Sequence, residues 1–316
     1  MTIGYINTPL INSYYIEVGD GHQLYVEECG NPEGIPVLFL HGGPGGSISE
    51  LSRRFFNPEH YHIILFDQRG TGRSKPFLSL ENNTVHASVS DIEAIRQHFK
   101  ISTWILFGGS YGSTLALAYA IQYKQHVTHL VLRGIFLGRQ SDVDWLFQFG
   151  ASEFYPQAFD RFKDFIEENQ QSDLVGAYYN LMRSENHEVV MRACKSWSQW
   201  ESSVIHHMPI EVKDEPVVDA DLSIGLLEAH YFIHKMFWDD DNYILNKFES
   251  IKNLPVDIFH GRYDVDCRLS GAVELANAIN NAQLHIIEGA GHSPFEPELF
   301  TALVNKMDEL SQNIIN

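Results

Sequence analysis

The sequence predicts an α/β fold, a mostly parallel sheet with helices on both faces and a helical insertion late in the chain. Three observations carry that reading. Continuously apolar runs of strand length recur at residues 37–40, 63–66, 104–107 and 130–132. They lack the polar–apolar alternation of a sheet with one wet face, so both of their faces must be covered. Helix-compatible stretches such as 90–99 and 114–123 lie between them, the strand–helix alternation of a parallel sheet. From about residue 137 to 250 the texture changes to aromatic-rich, charge-rich segments, and strand-like runs return only at 256–259 and 284–287.

Taken in order, the first 35 residues read as antiparallel strands, with 14–18 and 24–28 flanking the turn Gly19-Asp20-Gly21-His22. Between Lys100 and Lys124 lie 23 residues without a charge, long enough to span a membrane. Gly108, Gly109, Ser110, Gly112, Ser113 and Thr114 interrupt that stretch, so a buried strand, a turn and an Ala/Leu-rich helix are expected instead. In the insertion, Phe159, Phe162, Phe165 and Ile166 fall at i, i+3, i+6 and i+7, one face of an amphipathic helix. The expected division is a core of 1–136 and 251–316 and a helical cap of 137–250, inserted between the sixth and seventh strands.

Composition narrows the function. The 316 residues include 22 basic and 41 acidic side chains, a formal charge of −19. Nucleic acid is excluded as a partner, because binding it requires cations to neutralise phosphates. With 44% hydrophobic residues a full core is available. Three cysteines cannot form a disulfide framework and suit a reducing compartment. No basic segment followed by an apolar run opens the chain, so no export signal is expected. A cytoplasmic protein without membrane association is the expectation.

Gly108-Gly109-Ser110-Tyr111-Gly112 matches G-x-S-x-G between a strand and a helix, the context that exposes a nucleophilic serine on a tight turn. An ordinary glycine turn is the bland alternative, and the flanking strand and helix weigh against it. His41-Gly42-Gly43-Pro44-Gly45-Gly46 follows an earlier strand, where a loop supplies one oxyanion donor and the N–H of Tyr111 the other. That loop lacks the lysine of a P-loop and the spacing of a dinucleotide loop. Asp264 follows the strand at 256–259, and His292 lies between glycines after the last strand, in the chain order Ser, acid, His. Asp266 is a competing acid placed farther into its loop, and the Asp67–Ser74 segment (DQRGTGRS) reads as structural support. No metal or cofactor is expected. His230 and His234 lack an H-E-x-x-H context, and Asp239-Asp240-Asp241-Asn242 lacks the glycine of a calcium loop.

Together, HGGPGG, DQRGTGRS, GGSYGS, GRYD and GAGH resemble the proline iminopeptidase family of α/β-hydrolases. The similarity continues through Leu130-Val131-Leu132-Arg133-Gly134-Ile135-Phe136, W-x-x-W-E at Trp197–Glu201 and E-x-H-Y-F at Glu228–Phe232. The resemblance implies a serine aminopeptidase acting on peptides with a free N-terminal proline. It implies Ser110, Asp264 and His292 as triad, Gly43 and Tyr111 as oxyanion donors, and Glu201 and Glu228 as the residues that bind the substrate amine. Trp200, Tyr231 and Phe232 are expected to line the slot for the ring, and Cys267 to respond to thiol reagents. Tyr111 stands where many members carry tryptophan. A carboxylesterase would share the triad, whereas an epoxide hydrolase would need an aspartate at position 110. Residues 137–250 hold 9 basic and 21 acidic side chains, so most of the chain's acidity falls on the segment expected to receive a cationic N-terminus.

Overall fold

The computed structural model describes residues 4–208 and 215–315. Among these, eight strands form one sheet in the order β1-β2-β4-β3-β5-β6-β7-β8. They are β1 (Leu10–Gly19), β2 (His22–Gly30), β3 (Ile35–Leu40), β4 (Tyr61–Phe66), β5 (Trp104–Ser110), β6 (Val127–Ile135), β7 (Val256–Gly261) and β8 (Ala282–Ile287). The strand β2 runs antiparallel to β1 and β4, and every other pairing is parallel. The β1–β2 turn is Asp20-Gly21, with φ of 52° and 77°. Two successive positive φ values match the right-handed twist of a hairpin, which is why Asp-Gly suits this turn.

Successive strand residues point to opposite faces, and here both faces are buried. Ile63, Leu65, Ile105, Phe107 and Val131 pack on Leu299, Leu303 and Met307 of α10 (Pro297–Ile315). Ile64, Phe66, Leu106, Leu130 and Leu132 pack on the other side, with α1 (Val85–His98), α2 (Tyr111–Tyr123) and α9 (Leu269–Ala278). A strand that must bury every residue has no polar alternation to offer.

Between the neighbouring strands β6 and β7 the chain makes a helical excursion. Its helices are α3 (Gln140–Phe147), α4 (Pro156–Lys163), α5 (Leu174–Met182), α6 (His187–Val204), α7 (Asp219–Ile233) and α8 (Tyr243–Lys247). Aromatic stacking fills their core, with ring centroids 4.1 Å apart for Phe147 and Trp197 and 4.4 Å for Phe162 and Tyr178. One expectation is corrected here. The helix α4 stops at Lys163, and a turn closed by Ile166 N–H on Lys163 O (3.0 Å) follows it. Phe159 and Phe162 therefore share a helix face, while Ile166 reaches the same core from the turn.

The excursion is fastened to the rim of the sheet. Ser223 Oγ on α7 donates to Gly45 O (2.7 Å), and Tyr231 Oη donates to Asn83 Oδ1 (2.8 Å). Just beyond α6, Ile205 O accepts from the N–H groups of His292 and Ser293 at 3.0 and 2.8 Å. No helix among the described residues is long and apolar enough to cross a membrane.

At the opposite end of the central strands, Asp257 of β7 is buried and collects three cationic or polar partners. His129 Nε2 lies 2.8 Å away, His285 Nε2 2.7 Å and Lys306 Nζ 3.2 Å. Burial alone would raise this carboxyl, but the hydrogen bonds and the Lys306 charge hold it down at about 2. A depressed folded value contributes stability above the unfolded value, about 3.9, and that stability is lost as pH falls through about 2. Asp257→Ala is expected to cost about 3–5 kcal/mol at pH 7, the scale for stranding buried charges. The deficit should narrow below about pH 4, and urea unfolding at pH 7 and at pH 3 measures both effects.

Candidate active site

The site grows from the junction of β5 and α2. Ser110 has φ 57° and ψ −132°, a strained conformation that pushes its side chain out of the turn. The glycines around it leave room for backbone. A β-carbon at Gly112 would strike Leu40 O, one at Gly108 would strike Gly112 O, and one at Gly109 would strike the Arg133 guanidinium. Gly42 passes so close that a β-carbon there would sit 3.0 Å from Ser110 Cβ.

The loop after β3 is held from behind. Gln68 N–H donates to His41 Nε2 (3.1 Å), so His41 Nδ1 carries the proton and donates to Gly42 O (2.9 Å). Burial pushes His41 below its ordinary value, which keeps this tautomer neutral. Asp67 is fully buried and accepts from Ile48 N–H (2.7 Å) and Arg73 N–H (2.9 Å), ordering the neighbouring loop. Gly43 and Gly45 have φ of 109° and 113°, accessible to glycine alone at little cost. Gly42 of the β3 loop and Tyr111 at the start of α2 flank the serine, and the predicted oxyanion donors Gly43 and Tyr111 belong to these two segments. The Tyr111 side chain is buried and meets Tyr231 edge-on at 5.5 Å.

The predicted acid and base meet. His292 Nδ1 lies 2.8 Å from Asp264 Oδ2, and Cys267 N–H holds Asp264 Oδ1 at 2.8 Å. Burial raises Asp264 to about 6 and lowers His292 to about 4. At neutral pH the pair is a carboxylate and a neutral imidazole, with the proton on Nδ1 and a lone pair on Nε2. A β-carbon at Gly134, whose φ is 50°, would approach His292 Cε1 to 2.8 Å, so this glycine gives the imidazole its room.

The second nitrogen holds a residue that the sequence left without a role. Arg133 Nη1 lies 3.0 Å from His292 Nε2 and also donates to His292 O at 2.9 Å. No hydrogen bond joins Ser110 Oγ to Nε2 among the described residues, so the lone pair faces the guanidinium here. The signal existed in the sequence: Arg133 is the charge at the carboxyl end of an apolar strand, in register with Gly109. Asp266, the competing acid, does not bond to the ring. It approaches Nε2 to 3.7 Å through Oδ1, whereas Asp264 alone reaches hydrogen-bonding distance of the ring. Asp266, Cys267 and His292 offer three ligand atoms within 4.8 Å of one another. A metal ion there would face the Arg133 cation, so these residues fit one poorly.

Glu201 and Glu228 come together from α6 and α7. Trp197 Nε1 donates to Glu228 Oε2 (2.6 Å), and the two carboxyls lie close enough for each to perturb the other. Burial raises Glu201 to about 8, with Asp266 adding to the rise. Burial and the charge of Glu201 push Glu228 well above its ordinary value. A pair of adjacent carboxyls raised in this way keeps a proton at neutral pH. Glu201 still exposes some surface, as expected of a group lining a solvent-reached recess.

The aromatic assignments need revision. Trp200 is buried in the helical core, donates to Leu146 O (3.0 Å) and packs on Phe159 at 5.2 Å. Phe232 packs between Phe136 and Phe147, and Tyr231 bonds to Asn83. Trp197 is the tryptophan that touches the acidic pair. It precedes Glu201 by four residues and therefore shares its helix face, a relation readable in the sequence. His230 is bonded to Tyr179 Oη and Asn83 O, and Asp241 accepts from Gln140 N–H.

Cys267 is 4% exposed, and burial with the neighbouring acids pushes its thiol well above the ordinary value. Thiolate is the reactive form, so the expected sensitivity to thiol reagents is not favoured in the folded protein. Iodoacetamide at pH 7 is expected to label Cys267 at least about 100-fold more slowly in the native protein than in urea, read by peptide mass spectrometry.

The comparisons agree with this fold. A family model described as alpha/beta hydrolase fold matches residues 35–299. A proline iminopeptidase of Arabidopsis thaliana is 44% identical over 92% of this chain and 77% of its own length. One of Neisseria meningitidis serogroup A is 42% identical over 96% of this chain and 97% of its own. Among solved structures, a 2-hydroxy-6-oxo-6-phenylhexa-2,4-dienoate hydrolase from Rhodococcus has a TM-score of 0.61 at 18% identity, covering 96% of this chain and 99% of that one. A proline iminopeptidase of Mycobacterium smegmatis has a TM-score of 0.59 at 17% identity, covering 96% and 100%. The fold is shared with both, and the closer sequence relatives refine the assignment: the chain belongs to the α/β hydrolase family and, within it, to the proline iminopeptidases.

Proposed function

We propose that this protein is a serine aminopeptidase that releases N-terminal proline from peptides. The observation that carries the reading is the Glu201–Glu228 pair, which the helical excursion holds within electrostatic reach of Asp266, itself 3.7 Å from His292 Nε2. An N-terminal prolyl nitrogen is a cation with two N–H donors, and two carboxylates match it in charge and in donor count. On its arrival the pair gives up the shared proton. A blocked N-terminus brings no cation, leaving the cost of two buried charges uncompensated.

The chemistry follows from the atoms at the centre. Ser110 Oγ attacks the carbonyl of the first residue while His292 Nε2 takes its proton, an exchange that requires Nε2 to leave Arg133. Asp264 fixes the tautomer and stabilises the imidazolium. The N–H groups of Gly43 and Tyr111 receive the oxyanion, each such donor being worth about 3–4 kcal/mol. His292 then protonates the departing amine, and a water activated by the same nitrogen hydrolyses the acyl-enzyme to free proline. Residues 137–250 serve as the recognising cap on a catalytic core of 1–136 and 251–316. The cytoplasm is the proposed compartment, supported by three buried free cysteines.

A carboxylesterase reading shares Ser110, Asp264 and His292 but gives the two glutamates no task. A proline anilide, its N-acyl analogue and a neutral aryl ester separate the two. Fast turnover of the free anilide with at least about 100-fold slower cleavage of the blocked compound is expected. Equal rates would remove the amine-recognition idea. Ser110→Ala should abolish turnover of all three while the thermal melt is kept. Glu228→Gln should raise KM for the free anilide about tenfold or more and leave the ester nearly unchanged.

A further inference from the structure

Asp266 has no task in the mechanism above, yet its surroundings are unusual. The side chain is 6% exposed, and its buried Oδ2 lacks any hydrogen-bond partner among the described residues. Its Oδ1 accepts from the Cys267 thiol at 3.2 Å and lies 3.7 Å from His292 Nε2. On the same nitrogen sits the Arg133 guanidinium, which no carboxylate approaches within 4.0 Å among the described residues. A buried carboxylate and a half-buried guanidinium thus flank one imidazole nitrogen without pairing to each other.

We propose that Asp266 is a positioning residue for the peptidase reaction, a second carboxylate that offsets Arg133 on the Nε2 side of His292 so that the ring can accept and hold the proton of Ser110. The idea rests on His292 being the base. The imidazolium formed on attack would otherwise stand against a guanidinium 3.0 Å away in a site that burial has already made hostile to charge. Asp264 balances the Nδ1 side and cannot shield Nε2 from across the ring. Other titratable groups face the ring from elsewhere: His260 from β7, Cys267 from the loop after it, Glu296 at the start of α10 and His206 beyond α6. Beyond Asp264, which bonds to Nδ1, Asp266 is the carboxylate that most favours the protonated ring, and Arg133 is the cation that most opposes it. The unpaired Oδ2 also gives the guanidinium a destination when it leaves Nε2 for Ser110 to take its place.

The sign is definite. Deleting the carboxylate makes the imidazolium harder to form, so the acid limb of kcat/KM moves to lower pH as the plateau falls. For the isosteric Asp266→Asn, and for Asp266→Ser as a second neutral replacement, a downward shift of about one pH unit and a plateau loss of about tenfold are expected. Both should appear with the neutral aryl ester as well as with the proline anilide, because the effect acts on the base. In an Arg133→Gln background the same replacement should cost several-fold less, since the charge it offsets is gone. An unmoved acid limb in variants that keep the wild-type thermal melt overturns the proposal. So does a loss confined to the free-amine substrate, which would assign Asp266 to amine binding, or a loss undiminished without Arg133. Activity surviving in Ser110→Ala or His292→Ala would instead remove the underlying reading of the centre.

Discussion

Everything in this site depends on how closely three stretches of backbone and one side chain approach at Ser110. The end of β5, the start of α2, the loop after β3 and the side chain of Arg133 converge on a space that admits no β-carbon at positions 108, 109 or 112. The serine takes a positive φ because the chain must turn from strand to helix within one residue. That geometry aims Oγ outward and sets the first amides of α2 beneath it, where an unpaired helix N-terminus favours negative charge. The elbow is a packing constraint first, and its chemical use follows.

A second constraint is the scarcity of water around the charged groups. Burial opposes every ionised form here, and each group responds by finding a partner. Asp264 and His292 settle into a carboxylate and a neutral ring. Glu201 and Glu228 keep a proton between them. Arg133, lacking a carboxylate at hand, leans on the nearest lone pair, which belongs to the base. The resting arrangement is therefore a set of neutralised or shielded charges. In the proposed reaction a cationic substrate disturbs them by supplying the positive charge that two glutamates lack, so that recognition and activation are joined through electrostatics.

The sheet, its parallel character and the nucleophile turn were legible because each rests on local sequence: unbroken apolar runs, glycines at a strand–helix boundary, and Asp-Gly in a hairpin. The partners Asp264 and His292 were legible through chain order and glycine-bounded loops, although they lie far from Ser110 in sequence. What escaped were relations made by tertiary contact. Trp200 and Trp197 look alike in sequence and both enter the helical core, and only the packing of α6 sends one indole N–H to Leu146 O and the other to Glu228. Phe165 fits a helical period that the chain abandons two residues earlier. The role of Arg133 depends on the register of β6 against β5, which a single strand does not reveal. Asp266 was discounted as lying farther along its loop, yet loops fold back, and its carboxylate ends beside the same imidazole.

The point at which the helices are inserted explains how recognition reaches the chemistry. The strands β6 and β7 are neighbours in the sheet, and the excursion starts and ends at that pair. Arg133 and Gly134 stand just before its departure, and Asp264 stands just after β7 resumes. In parallel sheets the loops beyond the carboxyl ends of the strands form the reactive rim. Helices leaving from one such end must cross the rim, and the bonds from Ser223 to Gly45 and from His292 to Ile205 tie them there. Glu201 and Glu228 are thereby carried over a centre built by strands on both sides of the insertion point. The bulk acidity of residues 137–250 acts on approach, but it is screened within about 8 Å at physiological salt. On the proposed function, discrimination therefore falls to Glu201 and Glu228, and topology fixes where those carboxylates stand.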